Sequence, residues 1–279
     1  MTYTDFWRSL TAVYEEGEAQ AVARMVLEML FGLTMADVLV GRMPDEAELL
    51  PIQQRLLTGE PVQYVIGQAE FCEQLFHVEP GVLIPRPETQ WMCDFVSSSW
   101  GFLPREGSIL DIGTGSGCIA CTVAYDLSGS PVEVVGWDIS DTALRVAREN
   151  ARRLGVKVKF VKQDALCPPD DHECWDIIVS NPPYVCEQEK ADMARNVLDF
   201  EPAEALFVPD NDPQLFYRSI GHYALQALKP EGFLLVEVNA RYSEETANLF
   251  LAMGFVNASL FTDQFQKDRF VLASKICIN

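Results

Sequence analysis

The sequence predicts an α/β protein with a mostly parallel β-sheet, together with a small N-terminal domain built only of helices. The first observation is the alternation of strand and helix patterns from about residue 91 onward, which is typical of a parallel sheet covered on both faces. The second is the helical spacing of apolar residues over roughly the first 60 positions. The third is the short connection between the last two predicted strands, which is compatible only with an antiparallel pair.

The length and composition are those of a well-packed globular protein. The chain has 279 residues, of which 48% are hydrophobic and 22% are charged, so it can bury a core without disulfide or metal staples. Disordered chains, collagens and small disulfide scaffolds are therefore excluded. The net charge is −20, from 21 Lys and Arg against 41 Asp and Glu. Such a surface disfavours phosphate backbones, and hence direct nucleic-acid binding, and favours a basic protein partner.

No stretch approaches the roughly 20 apolar residues that span a bilayer, and the N-terminus lacks the basic and apolar regions of a signal peptide. The sequence therefore predicts a cytoplasmic protein without membrane contact. Eight cysteines lack the spacing of a disulfide framework, as expected of reduced thiols. They are Cys72, Cys93, Cys118, Cys121, Cys167, Cys174, Cys186 and Cys277.

A zinc site is the alternative use of some of these cysteines. Cys118 and Cys121 form a C-x-x-C pair, and Cys167, His172 and Cys174 are further potential ligands. The pair lies inside an apolar helical pattern, however, and no second C-x-x-C follows it. The sequence therefore favours small residues that face the core, and we predict no metal.

Three regions are predicted along the chain: a helical substrate-recognition domain in residues 1–66, a β-hairpin linker in residues 67–90 and an α/β domain in residues 91–279. Apolar spacing and capping residues predict four helices in the first region. They are a helix carrying Phe6, Leu10, Val13 and Tyr14, a second over residues 19–31 closed by Gly32, a third capped by Thr34, and a fourth from a cap at Asp45 to Leu57. No catalytic constellation appears in them, which indicates recognition or packing.

A segment rich in β-forming residues and interrupted by glycine and proline begins at Tyr64 and continues to residue 87, which predicts a hairpin. The α/β region then predicts seven strands and, among its helices, two that are clearly bounded. The strands are 108–112, 132–137, 156–161, 175–180, 232–238, 255–261 and 269–274, and the helices are 141–154 and 213–228.

The first candidate site is a glycine-rich turn that follows the first parallel strand and opens a helix. It reads Asp111-Ile112-Gly113-Thr114-Gly115-Ser116-Gly117. Glycines let the backbone approach a ligand closely, and the N-terminus of a helix offers free N–H groups. The pattern also satisfies a loose dinucleotide-binding fingerprint, but it lacks the Gly-Lys-Ser/Thr of a P-loop. A tight turn without a ligand is the remaining alternative.

Two acidic residues follow the next two strands. Asp138 ends the second strand, 138 − 113 = 25 residues after Gly113, where a carboxylate accepts both ribose hydroxyls of an adenine nucleoside. Capping of the next helix is the alternative role. Asp164, just past the third strand, is placed to meet an adenine amino group, or else is a turn residue. Their neighbours Ile139 and Ala165 complete this predicted part of the site.

The most discriminating feature comes immediately after the fourth strand and reads Ser180-Asn181-Pro182-Pro183-Tyr184. Two consecutive prolines cannot continue a strand, so they fix a rigid loop. On this loop the Asn181 side-chain oxygen and the Pro182 carbonyl can both face outward as acceptors, beside the ring of Tyr184. Two convergent acceptors hold a planar NH₂ group, for which a dinucleotide oxidoreductase has no use. A proline turn at a strand end is the alternative.

Together these motifs resemble the class I methyltransferase fold, a Rossmann-like, mostly parallel seven-stranded sheet with an antiparallel last strand. More narrowly, the chain resembles the release-factor glutamine N5-methyltransferase family over nearly its whole length. The residues that carry this resemblance are Gly59-Glu60-Pro61-Val62-Gln63-Tyr64-Val65-Ile66-Gly67, Phe71, Val82-Leu83-Ile84-Pro85-Arg86-Pro87-Glu88-Thr89 and Glu201-Pro202, together with the two loops. Two positions depart from the usual pattern: Gln90, where the family usually has Glu, and Cys72, where an aromatic residue is common.

The resemblance implies an S-adenosylmethionine-dependent enzyme that methylates the side-chain amide N5 of the glutamine in the Gly-Gly-Gln motif of peptide chain release factors. The implied cofactor-binding residues are Asp111, residues 113–117, Asp138, Ile139, Asp164, Ala165 and Asn181. The implied catalytic residues are Asn181, Pro182 and Tyr184, with Pro183, Arg86 and Glu88 also binding substrate. No general base is required, and the three histidines lie outside the motifs.

An adenine-N6 nucleic-acid methyltransferase is the rival interpretation, because it would use the same loop on the exocyclic NH₂ of a flipped base. The net charge of −20 and the Pro-Arg-Pro-Glu-Thr segment favour a protein substrate instead. A binding module without activity is disfavoured because every predicted cofactor position is intact.

Overall fold

The computed structural model describes residues 1–99, 101 and 106–276. The chain divides into two compact units. The helical unit comprises Met1–Gln68, Val78–Pro80 and Met193–Glu201, and the sheet unit comprises Ala69–His77, Gly81–Asp192 and Pro202–Asn279. Residues 67–90 are thus shared between the units, and the division into three regions stays a prediction. The predicted free thiol of Cys277 lies outside the described residues.

Residues 1–66 form five helices, and the helical unit also contains α9 (Arg195–Phe200). The five are α1 (Tyr3–Leu10), α2 (Glu16–Phe31), α3 (Met35–Leu39), α4 (Glu46–Leu57) and α5 (Val62–Ile66). Thr34 and Asp45 occupy the predicted N-cap positions, each with a reciprocal capping box to the third helical residue. The apolar faces meet in one core, whose fully buried members include Phe6, Leu10 and Leu27.

The first helix is shorter than predicted. It ends at Leu10, so Val13 and Tyr14 do not belong to its apolar face, and Val13 is 45% exposed. The hydroxyl of Tyr14 lies 3.5 and 3.4 Å from the carbonyls of Leu56 and Glu60, either of which can accept its hydrogen. This contact with the end of α4 draws the chain away from the axis of α1.

The prediction of β-structure at residues 64–67 is wrong, because residues 64–66 belong to the helix α5 and Gly67 closes it. Four of its five residues are buried, and a run that is apolar on every side does not distinguish a buried helix from a buried strand. Arg55 stabilises the helix, since its guanidinium donates to the carbonyls of Tyr64 and Val65 at the helix end. Gly67 then closes the helix with φ of 76°.

The predicted hairpin follows directly. Its strands are β1 (Gln68–Phe71) and β2 (Gln74–His77). The two turn residues, Cys72 and Glu73, both have positive φ, 47° and 59°, as a two-residue hairpin turn requires. Residues 81–86 form no strand.

The sheet unit contains a seven-stranded sheet in the order β10-β11-β9-β6-β3-β4-β5. Its strands are β3 (Gly107–Ile112), β4 (Val132–Asp138), β5 (Lys159–Lys162), β6 (Trp175–Ser180), β9 (Leu228–Glu237), β10 (Asn257–Thr262) and β11 (Asp268–Ser274). The pairs β3–β4, β3–β6, β4–β5 and β6–β9 are parallel, whereas β11 runs antiparallel to both neighbours. The predicted sheet and its antiparallel last strand are therefore confirmed.

Both faces of this sheet are covered. On one face Ile109, Ile177 and Leu235 join an apolar cluster with α6, α7 and α8; on the other, Ile178 and Leu234 join a second cluster with α10 and α11. These helices are α6 (Gln90–Ser99), α7 (Cys118–Asp126), α8 (Asp141–Leu154), α10 (Leu215–Ala227) and α11 (Ser243–Met253). Burial on both faces explains the continuous apolar strands of the sequence.

Some boundaries and small elements differ from the prediction. The strand β5 begins at Lys159 rather than at residue 156, because the N–H of Val156 donates to the carbonyl of Ala151 and closes α8 at Gly155. Several elements have no counterpart in the sequence prediction: α6, α9, α11 and the short parallel pair β7 (Val185–Cys186) and β8 (Phe207–Val208).

Among the residues that the structure describes, no helix is both long and apolar enough to cross a membrane. No cluster of three or more His, Cys, Asp or Glu side chains is arranged to hold a metal ion within that part of the chain. Cys118 and Cys121, the C-x-x-C pair, both lie in α7.

Candidate active site

A cavity of about 510 Å³ lies where β3, β4 and β6 end. The carboxyl ends of parallel strands are where open α/β sheets bind ligands, and the volume is in the range of small-molecule sites. Most predicted site residues line it. They are Arg86, Gly113, Thr114, Gly115, Ser116, Asp138, Ile139, Asp164, Ala165, Asn181, Pro182 and Pro183. Four others do not: Asp111, Gly117, Glu88 and Tyr184.

The glycine-rich turn is shaped by backbone conformations that favour glycine. Gly113, Gly115 and Gly117 have φ of 75°, 56° and 79°. A Cβ added at Gly117 would come within 3.0 Å of the Cβ of Ala147 on α8, so this glycine also permits close packing of α7 against α8. The carbonyl of Trp137, on the neighbouring strand, accepts from the N–H groups of Gly113 and Thr114. The turn is thus tied to β4.

Asp111 supports the turn from behind. Its side chain is fully buried, and Oδ2 accepts from the Thr114 hydroxyl at 2.6 Å and from the N–H of Ala120 at 3.3 Å. Its Oδ1 has no hydrogen-bond partner among the described residues. Burial raises the pKa of Asp111 to about 7, although both hydrogen bonds oppose that shift. Direct contact of Asp111 with a cofactor stays a prediction.

Asp138 links the turn to the start of α8. Its two carboxylate oxygens accept from the N–H groups of Gly115 and Ser140 at 2.9 and 2.8 Å. Burial raises the pKa of Asp138, against the effect of these backbone hydrogen bonds. Each carboxylate oxygen can accept a second hydrogen bond, so Asp138 retains capacity for ribose hydroxyls.

Two apolar side chains flank the acids on the cavity wall. Ile139, next to Asp138, is 58% exposed, and Leu166, two residues beyond Asp164, is 41% exposed. The carboxylate of Asp164 accepts from the N–H of Leu166 at 2.8 Å, which is the turn role that the sequence left open. Both apolar side chains offer surface to a flat, uncharged ring, while Asp164 keeps a second oxygen for a donor.

The Asn-Pro-Pro-Tyr loop is anchored at its first residue and its last. Ser180, at the end of β6, donates to the carbonyl of Ile112 at 2.7 Å, which joins this loop to the start of the glycine-rich turn. Asn181 Nδ2 donates to the hydroxyl of Thr89 at 3.2 Å. At the other end, the Tyr184 hydroxyl donates to Glu237 Oε1 at 2.9 Å. Pro182 is buried between these anchors.

Two buried residues that received no role from the sequence, Glu237 and Thr89, connect the two ends of this loop. The Thr89 hydroxyl donates to Glu237 Oε2 at 2.6 Å, so one carboxylate holds both Thr89 and Tyr184. Glu237 is 1% exposed and its pKa is raised by burial, whereas Thr89, Tyr184 and Arg269 act to lower it. The signal for Glu237 is an acid that directly follows the apolar run Phe233–Val236 at the end of β9, next to the end of β6.

Comparison with known proteins shows the general class of enzyme to which the chain belongs. A family model described as "Methyltransferase domain" matches residues 104–264. Among solved structures, a methyltransferase from Pyrococcus furiosus superposes with a TM-score of 0.50 at 16% identity, over 72% of this chain and 89% of that one. That likeness concerns the fold. The chain is a methyltransferase by the family model, and its fold is that of this class.

Curated relatives identify the family within the methyltransferases. A release factor glutamine methyltransferase from Bacteroides thetaiotaomicron is 39% identical, over 96% of this chain and 97% of that protein. One from Flavobacterium psychrophilum is 36% identical, with 96% of each chain covered. The chain belongs to the release factor glutamine methyltransferase family, and the resemblance stated from its motifs is confirmed.

The side chains that line the cavity fit S-adenosylmethionine better than a dinucleotide. Acids on the wall, Asp138 and Asp164 among them, favour the positively charged sulfonium and ammonium groups and disfavour an anionic pyrophosphate. The N–H of Gly115, which a pyrophosphate would need, already donates to Asp138. The exposed Ile139 and Leu166 suit an adenine ring. The residues present therefore fit this cofactor.

Proposed function

We propose that this protein transfers a methyl group from S-adenosylmethionine to the side-chain amide N5 of the glutamine in the Gly-Gly-Gln motif of peptide chain release factors. The observation that carries the proposal is that the glycine-rich turn and the Asn-Pro-Pro-Tyr loop line one cavity. They also approach closely, since a Cβ at Gly113 would lie 3.9 Å from the carbonyl oxygen of Asn181. A cofactor on the first loop thus lies next to an amide on the second.

The cofactor would be held by the turn and by the two acids that follow β4 and β5. Asp138 would accept the ribose hydroxyls, Asp164 the adenine amino group, and Ile139 and Ala165 would contact the ring. The turn would surround the cofactor with residues Gly113, Thr114, Gly115, Ser116 and Gly117. Asp111 would hold the conformation of this turn. When bound, the cofactor supplies an electrophilic methyl group on a positively charged sulfur.

The substrate amide would be oriented by the Asn-Pro-Pro-Tyr loop. Asn181 and the Pro182 carbonyl would accept the two amide hydrogens, which directs the nitrogen toward the methyl donor and stabilises the positive charge that develops on it. Pro183 and Tyr184 would keep the loop rigid. Arg86, on the cavity wall, and Glu88, one residue before Thr89, would contact the peptide around the glutamine.

The net charge supports the proposed partner. A net charge of −20 suits a basic protein surface and opposes direct contact with nucleic acid. The helical region, residues 1–66, would bind the body of the release factor, because no part of the catalytic cavity lies in it. We also propose a cytoplasmic location, which is supported by a substrate that acts in translation termination and by cysteines without the spacing of a disulfide framework.

A competition experiment tests the proposal. A release factor and adenine-containing DNA are supplied together with labelled S-adenosylmethionine, and the label in each is counted. We expect label on the release factor alone. Label on the DNA would instead support the adenine-N6 reaction, and a release factor that stays unlabelled while the cofactor binds would refute the proposed substrate.

A further inference from the structure

The orientation of the Asn181 amide matters because its two ends are chemically opposite. The Oδ1 end accepts hydrogen bonds and the Nδ2 end donates them, although the two ends have nearly the same size. Only the Oδ1 end can accept a hydrogen from a substrate NH₂. Packing alone does not distinguish the two orientations, so hydrogen-bond partners must select one.

The side chains behind Asn181 provide that selection. The carboxylate of Glu237 accepts hydrogen bonds from two hydroxyls, those of Thr89 and Tyr184, at 2.6 and 2.9 Å. A hydroxyl has a single hydrogen, and Thr89 gives its hydrogen to Glu237. Its oxygen can then only accept from Asn181, at 3.2 Å, which requires the NH₂ end of Asn181 to face Thr89. The Oδ1 end is left for the substrate.

We infer that Thr89 and Glu237 are positioning residues that fix the Asn181 amide with its acceptor directed to the substrate. The inference rests on the proposed function, in which that acceptor holds the glutamine amide. Each hydrogen bond determines the next one. The Glu237 carboxylate determines where the Thr89 hydroxyl hydrogen points, and the Thr89 oxygen then determines which end of the Asn181 amide faces it.

The environment supports a lasting, ordered arrangement. Thr89 is 2% exposed and Glu237 is 1% exposed, so water does not compete for their hydrogen bonds. The three groups come from distant parts of the chain: the turn Pro87–Thr89, the loop after β6 and the end of β9. The Tyr217 hydroxyl donates to the carbonyl of Glu237 at 3.1 Å and holds that strand end in place.

The decisive variants are Thr89→Val, which keeps the shape but loses the hydroxyl, and Thr89→Ser, which keeps the hydroxyl. Without it, the amide is free to turn its NH₂ toward the substrate. We expect Thr89→Val to lower kcat about 10-fold or more, with cofactor affinity within twofold of the wild type. Thr89→Ser should recover kcat to within a few-fold. A general loss of packing would not be rescued in this way.

Thr122→Val is the matched control. Thr122 is also 2% exposed, but its hydroxyl has no hydrogen-bond partner among the described residues, and it lies on α7 away from the cavity wall. We expect wild-type kcat from this variant. Wild-type kcat in Thr89→Val, or equal losses in Thr89→Val and Thr89→Ser, would overturn the inference.

A second readout does not depend on the substrate. With ¹⁵N-labelled asparagine, the NH₂ resonances of Asn181 are assigned by their loss in Asn181→Ala. We expect a nuclear Overhauser effect between these protons and the Thr89 methyl group in the wild type, and faster exchange of the same protons with water in Thr89→Val. Absence of the effect in the wild type would refute the orientation. Failure of wild-type methylation with the effect present would refute only the proposed substrate.

Discussion

At the scale of single residues, the candidate site depends on buried carboxyl groups whose oxygens are held by neighbouring donors. Asp111 accepts from Thr114, Asp138 from the backbone of Gly115, and Glu237 from Thr89. Removing a carboxylate from water is costly, and hydrogen bonds offset that cost only partly, which is why burial raises the pKa of all three. Each carboxyl group in turn fixes a loop that lines the cavity.

The role of Asp138 can be measured by calorimetry. We expect Asp138→Ala to weaken S-adenosylmethionine binding by about 1.5–3 kcal/mol, because a charged acceptor for the ribose hydroxyls is lost. Asp141→Ala is the control, since Asp141 is an exposed acid nearby that pairs with Lys162 on the surface. Unchanged affinity in Asp138→Ala would remove this residue from the cofactor site.

Asp111 should make the free energy of unfolding depend on pH. Its pKa is about 7 when folded, against 3.8 ordinarily, so between these values the folded protein retains a proton that the unfolded chain has lost. The contribution of this group is therefore full below about pH 4 and is lost as the pH rises to about 7, by at most roughly 4 kcal/mol.

Denaturant titrations of the wild type and Asp111→Asn from pH 4 to pH 8 measure this contribution. We expect the stability of the wild type relative to the variant to fall as the pH rises from about 4 to about 7, the folded pKa of Asp111, and then to level off. A constant difference between the two proteins would show that Asp111 has an ordinary pKa.

At the scale of elements, the glycine-rich turn is limited by how closely α7 packs on α8. Ala at Gly117 would need a positive φ and would also place its Cβ 3.0 Å from that of Ala147. Gly129 has a positive φ of 99° but open space around it. We expect Gly129→Ala to cost about 1 kcal/mol of stability and Gly117→Ala about 1–3 kcal/mol more, in urea titrations. Equal costs would mean that α7 and α8 separate easily.

Elements that carry their own local signal were predictable from the sequence. The strand β6 and the rigid loop after it follow from the apolar run Ile177-Ile178-Val179 and the two prolines that follow it. The helix α5 was missed because Arg55, a residue outside it, accounts for its carbonyl groups. The roles of Thr89 and Glu237 were missed because these hydrogen-bonded residues are 148 positions apart, and only the folded chain brings the turn Pro87–Thr89 to the end of β9.

At the scale of the whole molecule, the excess of 20 negative charges should govern association with the release factor. Attraction between oppositely charged surfaces is screened by salt. We expect the KM for the release factor to rise severalfold between about 50 and 300 mM salt, whereas cofactor affinity changes little. A KM that is independent of salt would indicate an apolar contact with the substrate instead.

The central claim is that the Asn-Pro-Pro-Tyr loop holds a glutamine amide while S-adenosylmethionine methylates its nitrogen. Tandem mass spectrometry of a release factor, after incubation with S-adenosylmethionine and this protein, tests it directly. We predict one added methyl group on the side chain of the Gly-Gly-Gln glutamine, formed about 10²-fold more slowly or worse by Asn181→Ala. A methyl group on any other residue, or full activity in Asn181→Ala, would contradict the account.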